Sequence, residues 1–264
     1  MKTSEIKIHV PANGNELLEN YIKELDNNVE VYTLWRVLNV NAIDRLQMTD
    51  HGPVHFQIVA NIALRLARIL KKNKIKTSVE KDYGLSHKHA ELIIFLASIY
   101  HDLGMSISRE GHEGYSLILT NNILRESLSF LPIDERTIVI SEVLHAIISH
   151  RKGGVPYTLE AGIVRVADAL DMSEGRSRIP YKAGHIDIHS VSAAAINRIV
   201  IDKGEIKPIR ITIEMNNSAG IFQTDDLLKG KIKGSGLEKY IEVKAYVVGA
   251  KEKSLVKELE IQDL

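Results

Sequence analysis

Apolar residues at three- and four-residue spacing mark the first clear element of the chain. Leu17, Leu18, Tyr21, Ile22 and Leu25 predict a helix after the break at Pro11-Ala12-Asn13-Gly14. The residues before that break alternate loosely (Ile6, Ile8, Val10), the pattern of a short strand. A second helix is expected from Val31 to Leu46. Asp50-His51-Gly52-Pro53 reads as a cap and turn, with Pro53 suited to a first helical position. Behind it Ile58, Val59, Ile62, Ala63, Leu66, Ile69 and Leu70 form one apolar stripe, and Lys71-Lys72-Asn73-Lys74 closes it with the charge a helix C-terminus favours. Ser86 to Leu103 is apolar nearly all round, which predicts a buried helix that Gly104 would end. Further helices are predicted over Glu113–Leu124, Asp134–Ser149 and Thr158–Asp171.

After Pro180 the period changes from helical to two. Ile199–Ile201, Ile209–Met215 and Tyr240–Val247 read as strands separated by turn signals such as Asp202-Lys203-Gly204 and Asn216-Asn217, and Leu255–Ile261 as a last strand or helix. The expected fold is mostly α, a helical bundle followed by a small α+β domain. We divide it into an N-terminal helical segment (1–45), a helical domain (46–182) and the α+β domain (183–264), an accessory or dimerisation unit.

Lys plus Arg and Asp plus Glu are 34 each, so the formal charge is zero. That disfavours a general electrostatic grip on nucleic acid or an anionic membrane. The absence of cysteine excludes disulfides, thiolate metal sites and a cysteine nucleophile. No leader or membrane-length apolar run is visible, and a cytoplasmic location is the expectation. The 11 histidines stand out.

Four positions belong together: His55, the doublet His101-Asp102, and Asp168. All carry donors that divalent cations take. Asp168 lies amid Ile163, Val164, Val166, Ala167, Ala169 and Leu170, where an unpaired carboxylate is costly. Taken singly, each has a plainer account. A histidine beside an apolar helix can be a satisfied core residue, Asp102 can cap a turn, and Asp168 can pair with Arg165 or Arg176.

Taken in order, the sequence resembles the HD superfamily of metal-dependent phosphohydrolases. His55 opens one helix, Ala97-Ser98-Ile99-Tyr100-His101-Asp102-Leu103-Gly104 carries the doublet, and Val164-Arg165-Val166-Ala167-Asp168-Ala169-Leu170 carries the last aspartate. The resemblance covers about residues 50–175. It implies an HD-type bundle in which His55, His101, Asp102 and Asp168 hold a divalent ion (Mn, Fe, Co, Ni, Zn or Mg), with Asp102 bridging where two ions are bound. Such an ion supplies a bound hydroxide near neutral pH and polarises a phosphoryl oxygen. The implied activity is hydrolysis of a phosphomonoester or phosphodiester, nucleotide-like in character.

HD subgroups with two metals add histidines between the doublet and the last aspartate, and His112 and His150 resemble those additions. With His51 and His145 they make up the candidate second site. The join from Ser149 through Gly154 into Val155–Ala161 resembles ribonuclease Y-type and cyclic-dinucleotide enzymes, although Arg151 stands where many carry a second histidine. The cyclic-dinucleotide subgroup's Gly-Tyr-Pro motif is missing, so that substrate is not assigned. The candidate catalytic residues are Asp102, His112 and Glu113, the last as general acid or base. Lys152, Arg109, Arg176 and Arg178 are the candidate phosphate contacts. Asp171 and Glu174 could orient histidine rings or hold arginines. Gly230–Gly236 reads as a flexible turn, or a basic lip over a substrate. His87 and His89 read as surface residues. The rival functions are a nucleotide-binding regulatory module and an RNA-directed phosphodiesterase. The expected partners are a small phosphorylated substrate, no membrane, and a second copy covering the edges of the small sheet.

Overall fold

The computed structural model describes residues 7–151, 153–172, 192–248 and 258–261. Helices α1 (Glu16–Leu25), α2 (Val29–Asn39), α3 (Pro53–Lys72), α4 (Ser78–Asp82), α5 (His87–Tyr100), α6 (His112–Ser127), α7 (Ile133–Ser149) and α8 (Leu159–Ala169) precede the sheet. The local chemistry accounts for their ends. Asn15, Asn28 and Thr158 each accept the N–H three residues on, capping α1, α2 and α8. Pro53 opens α3 after Gly52, and Asp50 accepts the Gly52 N–H at 2.9 Å. Glu160 of α8 accepts the N–H groups of Ser78 and Val79 at 3.1 and 3.0 Å, so a side chain from a distant helix caps α4.

α5 is the axis of the bundle. Every residue of it but Lys88 is buried, and α1, α3, α7 and α8 pack around it. Each of its fully buried Leu, Ile or Phe side chains contributes about 1.5–3 kcal/mol over the exposed state, which is why an all-round apolar stretch takes the centre. The helix stops at Tyr100, and Leu103–Ser106 make a 3-10 turn. Gly104 therefore does not end α5, as its position suggested. It lets α6 approach: a Cβ there would lie well inside 3.0 Å of the His112 carbonyl. Ser116 of α6 fastens the turn, accepting the Gly104 N–H and donating to the His101 carbonyl, both at 2.8 Å.

Strands β1 (Ile196–Lys203), β2 (Ile209–Met215), β3 (Ile241–Val247) and β4 (Glu258–Ile261) form one sheet in sequence order. β1 and β2 are antiparallel, β2 and β3 parallel, β3 and β4 antiparallel. The β2–β3 crossover carries a short helix, α9 (Lys229–Ile232). The sheet rests on α3 through β1 and β2, and α9 rests on α8. One apolar cluster runs from Ile8 to Ala245, joining bundle and sheet. No helix among the described residues is long and apolar enough to cross a membrane.

Three local expectations are corrected. Residues 7–10 form no strand: the His9 N–H goes to Gln57 at 2.7 Å and its carbonyl to Asn61 at 3.0 Å, so side chains of α3 satisfy this backbone in place of a neighbouring strand. The second helix begins at Val29 and leaves the α pattern at Asn39, continuing as a π-helical turn over Val40–Arg45. His87 and His89 are buried, His87 between Glu80 and Glu91, and His89 against Ser86 and Glu135.

Arg165 joins the two parts of the molecule. Its guanidinium is buried and donates to the carbonyls of Ser149, Arg151 and Gly154 on one side and of Gly230 and Lys231 on the other. It therefore does not pair with Asp168.

Candidate metal centre

Five helix ends converge on one point. His55 comes from the first turn of α3, His101 caps the end of α5 with Asp102 following, His112 begins α6, His150 caps the end of α7, and Asp168 lies in the last turn of α8. Helix ends and turns leave carbonyls unpaired, and the histidines use them. The Nδ1 of His101 donates to the Ser98 carbonyl at 2.9 Å, that of His112 to Arg109 at 2.9 Å, and that of His150 to Ile147 at 2.6 Å. His55 Nδ1 meets a carboxylate oxygen of Asp171 at 2.6 Å. A carbonyl has no proton to give, so Nδ1 carries the hydrogen and a neutral ring turns an Nε2 lone pair inward.

The inward nitrogens crowd together. His55 Nε2 and His101 Nε2 stand 3.1 Å apart. Two lone pairs at that distance repel unless a proton or a cation lies between them. Nitrogens bound to one ion at about 2.0–2.1 Å stand about 3.0–3.4 Å apart, so the spacing suits a shared metal. Asp168 Oδ1 completes the group, 3.5 Å from His55 Nε2 and 3.8 Å from His101 Nε2. The oxygens of Asp102 face different ways: Oδ2 is 3.6 Å from His101 Nε2, while Oδ1 is 2.9 Å from His112 Nε2 and 3.6 Å from His150 Nε2. Two overlapping donor groups result, His55–His101–Asp168 and His101–Asp102–His150. His112 Nε2 is buried and makes no aligned hydrogen bond despite its closeness to Asp102, as expected of a donor waiting for an ion. The set of imidazole and carboxylate donors fits a divalent cation.

Charge agrees with this arrangement at His101 and the two aspartates, while at His112 the neighbouring Asp102 favours the protonated ring. Burial holds the His101 pKa down at about 3, so its ring stays neutral. Burial would raise both aspartates, yet both carboxyls lie well below the usual range. Neighbouring His101, His112 and His150 lower Asp102, and Lys231, then His55 and His101, lower Asp168. For His112, burial works against protonation but Asp102 outweighs it and the pKa is raised.

The other sequence candidates fall in three groups. His51 sits beside His55, with ring centroids 5.9 Å apart and its Nδ1 held by the Thr49 carbonyl at 2.7 Å. Glu113 is buried beside His112 and binds Arg151 at 2.7 Å. His145 belongs to neither donor group: its ring stacks on Tyr157 at 4.8 Å and its Nε2 accepts the Tyr157 N–H, because five residues along α7 separate it in angle from His150. The Arg109 side chain is exposed, and the residue meets His112 Nδ1 both through its carbonyl at 2.9 Å and through its guanidinium at 3.2 Å. Lys152, Glu174, Arg176 and Arg178 lie outside the described residues.

One residue was not singled out from sequence, although the Gly230–Gly236 stretch that holds it was read as a flexible turn or a basic lip. Lys231 of α9 reaches the cluster, its Nζ donating to the His150 carbonyl at 2.6 Å and to Asp168 Oδ2 at 3.2 Å. The Gly230–Gly236 stretch holds a helical turn at its start where a flexible one was expected. The signal for it was weak: a lysine among glycines, next to a buried isoleucine.

A helical bundle closing histidine and aspartate donors from five helix ends is the architecture of an HD domain. The HD-domain family model matches residues 54–173. An uncharacterized protein of Methanocaldococcus jannaschii is 42% identical over 239 residues, covering 90% of this chain and 92% of that protein. The chain belongs to the HD-domain superfamily, whose members are in general metal-dependent hydrolases. No solved structure matches it.

Proposed function

We propose that the chain is a phosphohydrolase acting on a phosphomonoester or phosphodiester of nucleotide-like character. The observation that carries this is the facing pair of Nε2 atoms, His55 and His101, 3.1 Å apart with Asp168 and Asp102 closing around them. His55, His101, Asp102 and Asp168 would hold one ion, and Asp102, His112 and His150 would take part in a second. When bound, a divalent ion acidifies water and polarises a phosphoryl oxygen.

The protein's own groups do the rest. Asp171 and the carbonyls of Ser98, Arg109 and Ile147 fix the rings so that the donors need no reorganisation. Glu113 has its carboxylate on Arg151, so in this arrangement it orients a cation at the rim of the site. A proton-transfer role would require that pair to open.

The test compares wild type with His101→Ala and Asp102→Ala by elemental mass spectrometry and a phosphate-ester screen. One or two equivalents of a divalent metal and hydrolysis in the wild type are expected, with both lost in the variants and helical circular dichroism kept. Turnover retained in either variant would sink the reading, and metal without turnover on any ester would favour the regulatory module.

A further inference from the structure

Of the phosphate candidates expected from sequence, Lys152, Arg176 and Arg178 lie outside the described residues and Arg109 is exposed with its guanidinium 3.2 Å from His112 Nδ1, while a cation from the other end of the chain sits on the cluster. Lys231 is 63 residues beyond Asp168. α9 and the Arg165 clasp deliver it: Arg165 binds the carbonyls of Gly230 and Lys231 while standing three residues before Asp168 on α8. The ammonium side chain is only 16% exposed.

An ammonium carries three N–H donors. The His150 carbonyl and Asp168 Oδ2 take two, which leaves one. Asp168 divides its oxygens, Oδ1 toward the histidine nitrogens and Oδ2 toward Lys231, so the lysine does not occupy the side that faces a metal. The other described basic groups near the cluster are placed differently: Arg151 pairs with Glu113 and Arg109 touches His112 Nδ1, both from exposed positions, while Arg165 serves backbone carbonyls. Charge gives the reason for a cation here. One divalent ion only balances Asp102 and Asp168, and an incoming phosphate adds negative charge that a largely buried cation such as Lys231 helps to offset.

We propose that Lys231 is the substrate-phosphate residue of this site, its third N–H donating to a non-bridging phosphoryl oxygen, so that the C-terminal region completes the active site. This rests on the phosphohydrolase reading.

The test uses metal-loaded full-length protein with orthophosphate as the probe. Wild type, Lys231→Met, Lys231→Gln and Lys231→Arg are compared by calorimetric titration, with metal content measured on the same samples. We expect unchanged metal per chain in all four. Orthophosphate should bind at least about tenfold more weakly to the two neutral variants, with partial recovery in Lys231→Arg, as for loss of a charge-assisted hydrogen bond. Lys231→Gln keeps donors for Asp168 and His150, so it serves if Lys231→Met does not fold. Equal affinity in wild type and a folded neutral variant overturns the proposal alone. Loss of metal in the neutral variants also overturns it, by making Lys231 a support for Asp168. A metal-loaded wild type that binds no orthophosphate overturns both this proposal and the reading it rests on.

Discussion

Gly162→Ala should loosen the joint between bundle and sheet and draw Lys231 off the metal centre. Gly162 lies on α8, where the loop after α9 crosses it. A Cβ built there falls far inside 3.0 Å of the Ser235 carbonyl oxygen, and the obstacle is backbone. A flexible side chain could swing aside, but here the loop itself must retreat by about 1 Å, because close-packed interiors leave no slack. Ser235 is tied to α9 through its N–H to the Ile232 carbonyl at 3.0 Å, so the retreat carries Lys231 with it. Starting from 3.2 Å, the contact to Asp168 would stretch past hydrogen-bond range. The expected cost is about 1–3 kcal/mol, or a fall in melting temperature of roughly 2–12 °C. Orthophosphate affinity should fall while metal content stays. Gly230→Ala is the matched control: it lies in α9 with nothing within 4 Å of its built Cβ, and alanine is the better helix former by about 1 kcal/mol. That variant should melt at or slightly above wild type. Gly162→Ala melting and binding phosphate like wild type would refute the reasoning, and so would both variants falling equally.

Three further outcomes are expected. Asp171→Ala frees the Nδ1 side of His55 and should weaken metal binding about 10–100-fold in a chelator competition; unchanged affinity would remove Asp171 from the site. Arg165→Met removes a donor from five carbonyls, of which that of Arg151 keeps the Gly154 N–H, and should cost about 3 kcal/mol or more by denaturant titration. Glu142 is buried near Glu160, and burial, then Glu160, raises its pKa above 4.5. The folded state therefore holds that proton more tightly than the unfolded one, and stability falls as pH rises through the shifted value. Glu142→Gln should raise the melting temperature at neutral pH and change nothing below about pH 4; equal gains at both would point to a cause other than charge.

Much of the bundle was legible because its signals are local. The all-round apolar run of α5, the stripe of α3 after Pro53 and the alternation of Ile209–Met215 each state how a segment is buried, and each element stands where its pattern put it. The donor cluster that the structure brings together was legible through the order of His55, His101, Asp102 and Asp168 along the chain more than through any one of them. Long-range backbone satisfaction was not legible. The strand expected before residue 11 reads the same whether a neighbouring strand or the side chains of α3 take its hydrogen bonds. His87 and His89 were misjudged because a polar residue can be buried when a carboxylate meets it: His87 has Glu80 and Glu91 close in sequence, whereas nothing local announces Glu135 for His89. The place of Lys231 was hidden for the same reason: its contact with Asp168 depends on packing between α9 and α8, across 63 residues of chain. His145 failed on angle, since a histidine count carries no direction.

The Arg165 clasp sets how this protein should respond to acid. A guanidinium keeps its charge at any pH a fold survives, and carbonyl oxygens do not titrate in that range. The donor cluster is made of the opposite material, histidines and aspartates that can hold a cation only in their deprotonated forms. An ion held there should therefore be lost in acid while the seam beside it holds. The result would be an emptied protein with bundle and sheet still in register, ready to recover its metal on neutralisation without a refolding step.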